Sequence, residues 1–277
     1  MMGRLGATLL AAVLVALKGG AAHTDDDGTA AASGPRAPAV SASVHAAEVP
    51  SFQSCCPYYP YDGAWTFVRI QTASFYGGGR RFRGGWSHDY PTADVNLSTI
   101  IRELTLVDSR VRPMGGNVLT FDDPRLMQFP FAYVSEPDEW RVTQAEAEGL
   151  REYLLKGGFV VFDDFFDYEM TNLHRQMKEV FPELGYIRLD GSEEIWDAFY
   201  RLDAPNIYLT GPNKYGTPEF WGLFVDNDKS KRMLSLANAQ ADIGDLWEWA
   251  AEGYYPLDPT NDAFKMGVNY IVYALTH

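Results

Sequence analysis

Residues 65–72 alternate aromatic or β-branched side chains with polar ones, the period-two pattern of a half-buried strand. Two further short apolar runs, 117–121 and 131–135, read as strands, the first ending in Asp122-Asp123-Pro124 and the second in Ser135-Glu136-Pro137. Between the first two strands Val95, Ile100, Ile101 and Leu104 fall on one helical stripe, with Thr92 or Asp94 as its cap. The clearest helix starts at Thr143-Gln144-Ala145-Glu146. Here the threonine hydroxyl and the glutamate carboxylate can each satisfy an amide that the first turn leaves free. Ala145, Leu150, Tyr153 and Leu154 give that helix its apolar face, and Gly157-Gly158 supplies the left-handed stop. Phe159-Val160-Val161-Phe162 follows at once, apolar on both faces as a central parallel strand must be, and it runs into Asp163-Asp164. A helix is predicted over 170–180, closed by Pro182. Residues 220–225 and 232–236 read as a hairpin across Asn227-Asp228-Lys229-Ser230, and Phe264, Val268, Ile271, Val272 and Leu275 mark a terminal amphipathic helix.

Strand, helix and strand joined by short connections predict an α/β fold: a doubly wound parallel sheet with an antiparallel edge hairpin, forming a single domain over 51–277. The preceding 50 residues divide in two. Residues 5–17 are apolar and small after Met1-Met2-Gly3-Arg4, and Lys18 and a Gly-Gly-Ala-Ala stretch follow. That run is shorter than the roughly 20 residues a helix needs to cross a bilayer, so 1–22 is expected to be a signal peptide and the protein exported, periplasmic or secreted. An uncleaved anchor is the competing reading. Residues 23–50 are Ala, Ser, Thr, Gly, Pro and Asp with almost no large apolar side chain, which predicts a disordered linker.

Charge narrows the partners. The chain holds 23 Lys and Arg against 37 Asp and Glu, a formal charge of −14, and its one dense basic cluster is Arg80, Arg81 and Arg83. Nucleic acid is therefore not an expected partner, since phosphate recognition needs a broad cationic face. A small anion, a glycan or a protein remain. The two cysteines, Cys55 and Cys56, are adjacent and cannot staple distant parts of the fold, and Ser-Cys-Cys-Pro-Tyr-Tyr-Pro offers a nucleophile neither a base nor an exposing turn.

Four ordered stretches resemble the bacterial domain of unknown function 4159 (DUF4159). They are Gly84-Gly85-Trp86-Ser87-His88-Asp89-Tyr90-Pro91, Pro130-Phe131-Ala132-Tyr133-Val134-Ser135-Glu136-Pro137, Leu154-Leu155-Lys156-Gly157-Gly158-Phe159-Val160-Val161-Phe162-Asp163-Asp164-Phe165, and Gly267-Val268-Asn269-Tyr270-Ile271-Val272-Tyr273-Ala274-Leu275-Thr276. The resemblance covers residues 67 to the end. It implies a flavodoxin-like sheet of the class I glutamine amidotransferase-like kind, and no settled activity. It also implies an exclusion: where an active amidotransferase carries its cysteine, after the central strand, this chain has Asp163-Asp164-Phe165.

In an open parallel sheet, ligands bind beyond the carboxyl ends of the strands. Asp122 with Asp123, Glu136, and Asp163 with Asp164 all fall there. If they converge, their repulsion creates a general acid/base pair or a hard-cation site; if they do not, each caps the next turn. Glu136, Asp163 and Asp164 are the candidate catalytic carboxylates, and His88 with Asp89 is placed to overhang the same crevice. Trp86, His88, Asp89, Arg80, Arg81 and Arg83 are the candidate ligand-binding residues. The arginines sit in a glycine loop that either holds an anion or pairs with the protein's own acidic surface. Trp86, Tyr90, Trp140 and Trp221 are candidate sugar platforms or simply core. His174 is expected to face solvent or neighbouring helices. Neither His88 nor His174 has a ligand partner four residues on, so no metal and no cofactor are expected. The leading reading is a non-catalytic module binding a ligand or protein at the carboxyl edge. The competing one is a carboxylate-dependent hydrolase acting on glycans or esters. Free oxygens on Glu136 and Asp163 favour the enzyme, and oxygens consumed by backbone amides favour binding.

Overall fold

The computed structural model describes residues 56–72, 85–137, 140–166, 169–203 and 217–277. Residues 1–50, over which a signal peptide and a linker are expected, Cys55, and the loop of Arg80, Arg81 and Arg83 lie outside the described residues. Cys56 is disulfide-bonded, so it offers no free thiol. No described helix is long and apolar enough to cross a membrane.

Seven strands form one mixed sheet: β1 (Val68–Ile70), β2 (Asn117–Leu119), β3 (Phe131–Ser135), β4 (Phe159–Phe165), β5 (Tyr186–Arg188), β6 (Glu219–Phe224) and β7 (Met233–Ala239). Their spatial order is β2-β1-β3-β4-β7-β6-β5. The pairs β2·β1, β1·β3, β3·β4 and β4·β7 are parallel, whereas β7·β6 and β6·β5 are antiparallel. The expected hairpin is therefore present, but β7 is its inner strand and pairs in parallel with β4, so the hairpin extends the parallel sheet instead of merely edging it.

Every residue of β4 is buried because both faces of the sheet are covered. Phe159 and Val161 pack in one cluster with Leu97, Ile101, Trp247 and Ile271. Val160 and Phe162 point the other way, among Leu150, Leu154, Leu173 and Met177. Helices α1 (Thr92–Leu104), α4 (Ile243–Glu248) and α5 (Leu257–Thr276) thus cover one face, and α2 (Gln144–Leu155) and α3 (Glu169–Val180) the other. The side-chain period of two sends alternate residues of a central strand into opposite layers.

The α2 capping box forms as the sequence predicts. Thr143 Oγ1 accepts from the Glu146 amide, Glu146 Oε2 accepts from the Thr143 amide, and Gly157 takes φ +110° beyond the last turn. The stripe on α1 differs from its prediction. Its buried positions are Ala93, Asp94, Leu97, Ser98 and Ile101, while Leu104 is exposed. The reason is a charge inside the core. Arg69 on β1 is fully buried and its Nε and Nη2 donate to Asp94 Oδ1 at 3.1 and 2.6 Å, so the helix turns a carboxylate inward instead of using it as a cap. His174 differs too: it stacks on Tyr186 at 5.4 Å and meets Trp221 edge-on, so it packs on the antiparallel strands.

Candidate functional site at the carboxyl edge

Strand order reverses at β1, whose neighbours are β2 on one side and β3 on the other, and the chemistry gathers beyond the carboxyl ends of β1, β3, β4 and β7. His88 and Asp89 lie on the turn that opens α1. Arg69 fixes that turn, because its Nη1 donates to the carbonyls of Trp86 and His88 at 3.1 and 2.8 Å. Glu136 is the first residue after β3, Asp164 is near the end of β4, and Asp242 caps α4 just after β7, accepting from the Asp245 amide.

His88 Nδ1 is the centre of the group. It lies 3.1 Å from Asp164 Oδ2, 3.3 Å from Asp89 Oδ1 and 3.9 Å from Glu136 Oε1. Of His88, Asp89, Glu136, Asp163 and Asp164, all but Asp163 therefore share the expected crevice. The crevice has a wet rim and a dry floor: the side chains of His88 and Glu136 are 48% and 38% exposed, those of Asp164 and Asp89 6% and 0%. The hydrogen bond to Asp164, with the charges of Asp89, Asp164 and Glu136, pushes the His88 pKa well up against the opposing effect of burial. Burial, chiefly, pushes the Asp89 carboxyl up, with Asp164 and Asp245 adding to it and His88 and Arg69 opposing. Asp242 is raised for the same reasons, burial first and then the charge of Asp164. These are the shifts expected where several carboxylates share one low-dielectric corner.

Asp163 has a different job. Its Oδ2 accepts from Tyr133 Oη at 2.7 Å and from the amides of Ile243 and Gly244 at 2.9 and 3.1 Å, and its Oδ1 accepts from Asn238 Nδ2 at 3.0 Å. It is fully buried and ties β4 to β3, β7 and the first turn of α4, so it is a fastener with no oxygen left for a substrate. Burial pushes its carboxyl up to about 7, with the Tyr133 and Asn238 hydrogen bonds pulling the other way. Asp123 is likewise a fastener: it caps the turn after β2 and pairs with Arg125, and neither it nor Asp122 joins the crevice. Trp86 and Trp140 are 6% and 1% exposed, so they are core and offer no face to a sugar.

Asp89 is the unusual member. Among the described residues neither of its buried oxygens receives a hydrogen bond, and its nearest charged neighbour is His88, whose Nδ1 stands 3.3 Å from Oδ1. Gly244 makes its position possible, since a Cβ there would fall 2.2 Å from Asp89 Oδ2 and 2.8 Å from Tyr133 Oη. The sequence pattern did not single out Asp242, Asp245 and Glu248. They extend the cluster, because donor atoms of His88, Asp242 and Asp245, and of Asp89, Asp245 and Glu248, lie within 4.8 Å of one another. The available signal was Ala241-Asp242 after an apolar run, the same acid-after-strand pattern used for Glu136 and Asp164.

A second hollow of about 250 Å³ lies at the amino end of β7, lined in part by Lys229, Lys231, Arg232 and His277. Each of these is already engaged: Lys229 with Asp190, Lys231 with Asp226, Arg232 with the Gly158 carbonyl and His277 with Glu194. Among the described residues lining it, none is a free cation for an anionic ligand.

The comparison with curated proteins finds no match. A family model described as a domain of unknown function, DUF4159, matches residues 66–275, which takes in all seven strands, the five helices to within one residue of the end of α5, and the whole crevice. The chain belongs to the DUF4159 family.

Proposed function

We propose that this chain is an exported domain with a flavodoxin-like, class I glutamine amidotransferase-like fold, and that its carboxyl-edge crevice binds a positively charged ligand without transforming it. The observation that carries the reading is convergence. Carboxylates from the ends of three parallel strands and from the turn opening α1 meet at the point where strand order reverses, with His88 as the one titrating cation among them. The parallel part of the sheet, β2-β1-β3-β4-β7, has the flavodoxin-like order, which supports the finer fold assignment. The consumption of Asp163 by the backbone amides of α4 favours binding over chemistry, because it removes one of the candidate catalytic carboxylates. The apolar run at 5–17 supports export.

The hydrolase reading keeps one observation: the raised Asp89 carboxyl and the partly exposed Glu136 both stand within 4 Å of His88 Nδ1, and carboxyls in such unlike environments are what acid/base catalysis uses. One experiment addresses both. The full chain is followed by thermal shift against divalent metal salts, organic amines, amino sugars and neutral glycans, and against aryl esters and aryl glycosides with product release recorded. A shift with cationic ligands that Glu136→Gln weakens, without turnover, supports the binding module. Turnover abolished by Glu136→Gln replaces it with the hydrolase. No shift and no turnover defeats both.

A further inference from the structure

We propose that the crevice is a divalent-metal site in which His88 Nδ1, one oxygen of Asp89 and one of Asp164 are the protein ligands of a single ion. The proposal rests on the reading that this crevice takes a positively charged ligand, and it names that ligand's class.

Two observations carry it. The first is spacing. Donors held about 2.1 Å from an ion at right angles lie roughly 3.0 Å from each other. His88 Nδ1 stands 3.1 Å from Asp164 Oδ2 and 3.3 Å from Asp89 Oδ1, and donor atoms of all three residues fall within 4.8 Å of one another. The second is Asp89 itself. Its side chain is completely buried, it belongs to the cluster on the side of His88, and neither oxygen receives a hydrogen bond. A carboxylate without a donor inside a protein is costly, and folded chains place one there when a cation completes it.

The donors also say which cation. One imidazole with two carboxylates suits Zn²⁺, a borderline ion, or Mn²⁺, a hard ion that the carboxylates favour, whereas Ca²⁺ takes oxygen only and the soft ions take thiolate. The proposal takes one ion per chain, held by the set that contains His88, Asp89 and Asp164; Asp89 also belongs to a set with Asp245 and Glu248, and a measured stoichiometry of two would assign that set as a further site. The half-exposed ring of His88 and the partly exposed Glu136 leave the outer side of the ion open to water or to a further ligand. Sequence spacing hid the site because its ligands come from two segments 75 residues apart, the His88-Asp89 turn and the end of β4, and no pair sits four apart on a helix.

The full chain, stripped with a chelator, is titrated with MnCl2 and with ZnCl2 by calorimetry, with electron spin echo detection of nitrogen coupling to bound Mn²⁺. One ion per chain is expected, with Asp89→Asn and Asp164→Asn each weakening affinity at least tenfold. His88→Gln is expected to remove the nitrogen coupling. Circular dichroism separates lost binding from lost folding in each variant, and Asp164→Asn stands as the reporter if Asp89→Asn fails to fold. Binding of either ion at unchanged affinity in folded Asp89→Asn and Asp164→Asn overturns the assignment, as does no binding below millimolar concentration. If the metals do not bind but spermidine or choline raises the melting temperature in an Asp89-dependent way, the metal assignment falls and the cationic crevice survives. Should neither class bind, both fall together.

Discussion

Replacing Arg69 by Met would test how much of the crevice hangs on one buried charge. The guanidinium makes two hydrogen bonds to Asp94 Oδ1 and one to each of the Trp86 and His88 carbonyls, and it lies over the Tyr133 ring at 5.0 Å. Methionine keeps the bulk and removes every one of those bonds. Stranding Asp94, which is fully buried, costs about 3–5 kcal/mol. The two carbonyls each lose a charged donor at about 1.5–3 kcal/mol, with incomplete additivity because they share one turn. A loss of about 5–8 kcal/mol stands against a total of roughly 5–15 kcal/mol for a domain, so Arg69→Met should be largely unfolded or close to it. The double variant Arg69→Met, Asp94→Leu removes the stranded carboxylate and should recover about 3–5 kcal/mol of that loss, because an apolar pair often replaces a buried ion pair at little cost. Urea denaturation followed by circular dichroism gives both numbers. A single variant that loses less than about 2 kcal/mol, or a double variant no more stable than the single, would refute the account of Arg69 as the anchor of the His88 turn.

Two other outcomes follow from residues away from the rim. Asp163→Ala leaves Tyr133 Oη, Asn238 Nδ2 and the Ile243 and Gly244 amides without an acceptor, at about 1–3 kcal/mol each before coupling. If urea denaturation places this variant within about 1 kcal/mol of wild type, the net worth of one ordinary hydrogen bond, then Asp163 is not the fastener of α4. His174 gives a pH dependence: burial, with Lys178 adding, lowers its pKa, so the unfolded chain takes up its proton first, near pH 6.5. The stability tied to neutral His174 is therefore complete above about pH 6.5 and lost as pH falls towards the lower folded value, and His174→Phe, which keeps the stack on Tyr186, should flatten that part of the stability-against-pH curve measured by thermal melting.

Much of this architecture is legible without coordinates because it is written in local chemistry. The box at Thr143 and Glu146, the stop at Gly157 and the two-sided apolar run at 159–162 each satisfy a demand of their own backbone, so each survives into the structure. What the pattern hides is any choice made across the chain. Asp94 reads as a helix cap and instead answers Arg69, 25 residues away, which turns the helix face. Asp163 and Asp164 are indistinguishable as neighbours in sequence, yet the strand's alternation sends one into the core beneath α4 and the other to the crevice beside His88. Strand β5 leaves no local signal, being a three-residue segment whose partner, β6, starts 31 positions after β5 ends.

Backbone strain points to the same edge from an independent direction. Six non-glycine residues among those described have positive φ. Asp226 and Asn227 belong to the β6–β7 turn, where short polar side chains tolerate that conformation. The other four, Asp89, Glu136, Asp164 and Gln240, stand around the carboxyl ends of β3, β4 and β7 and the turn that opens α1. Glu136 and Gln240 have no such tolerance, and a left-handed residue of this kind costs of order 1–3 kcal/mol. The chain carries this strain where it also carries Asp89, the buried carboxylate whose oxygens receive no hydrogen bond among the described residues, and that coincidence is what separates the crevice from an ordinary acidic surface. Relaxing Glu136 into the extended region would swing its carboxylate out of reach of His88, so the strain holds in place the geometry on which the proposed ligand binding rests.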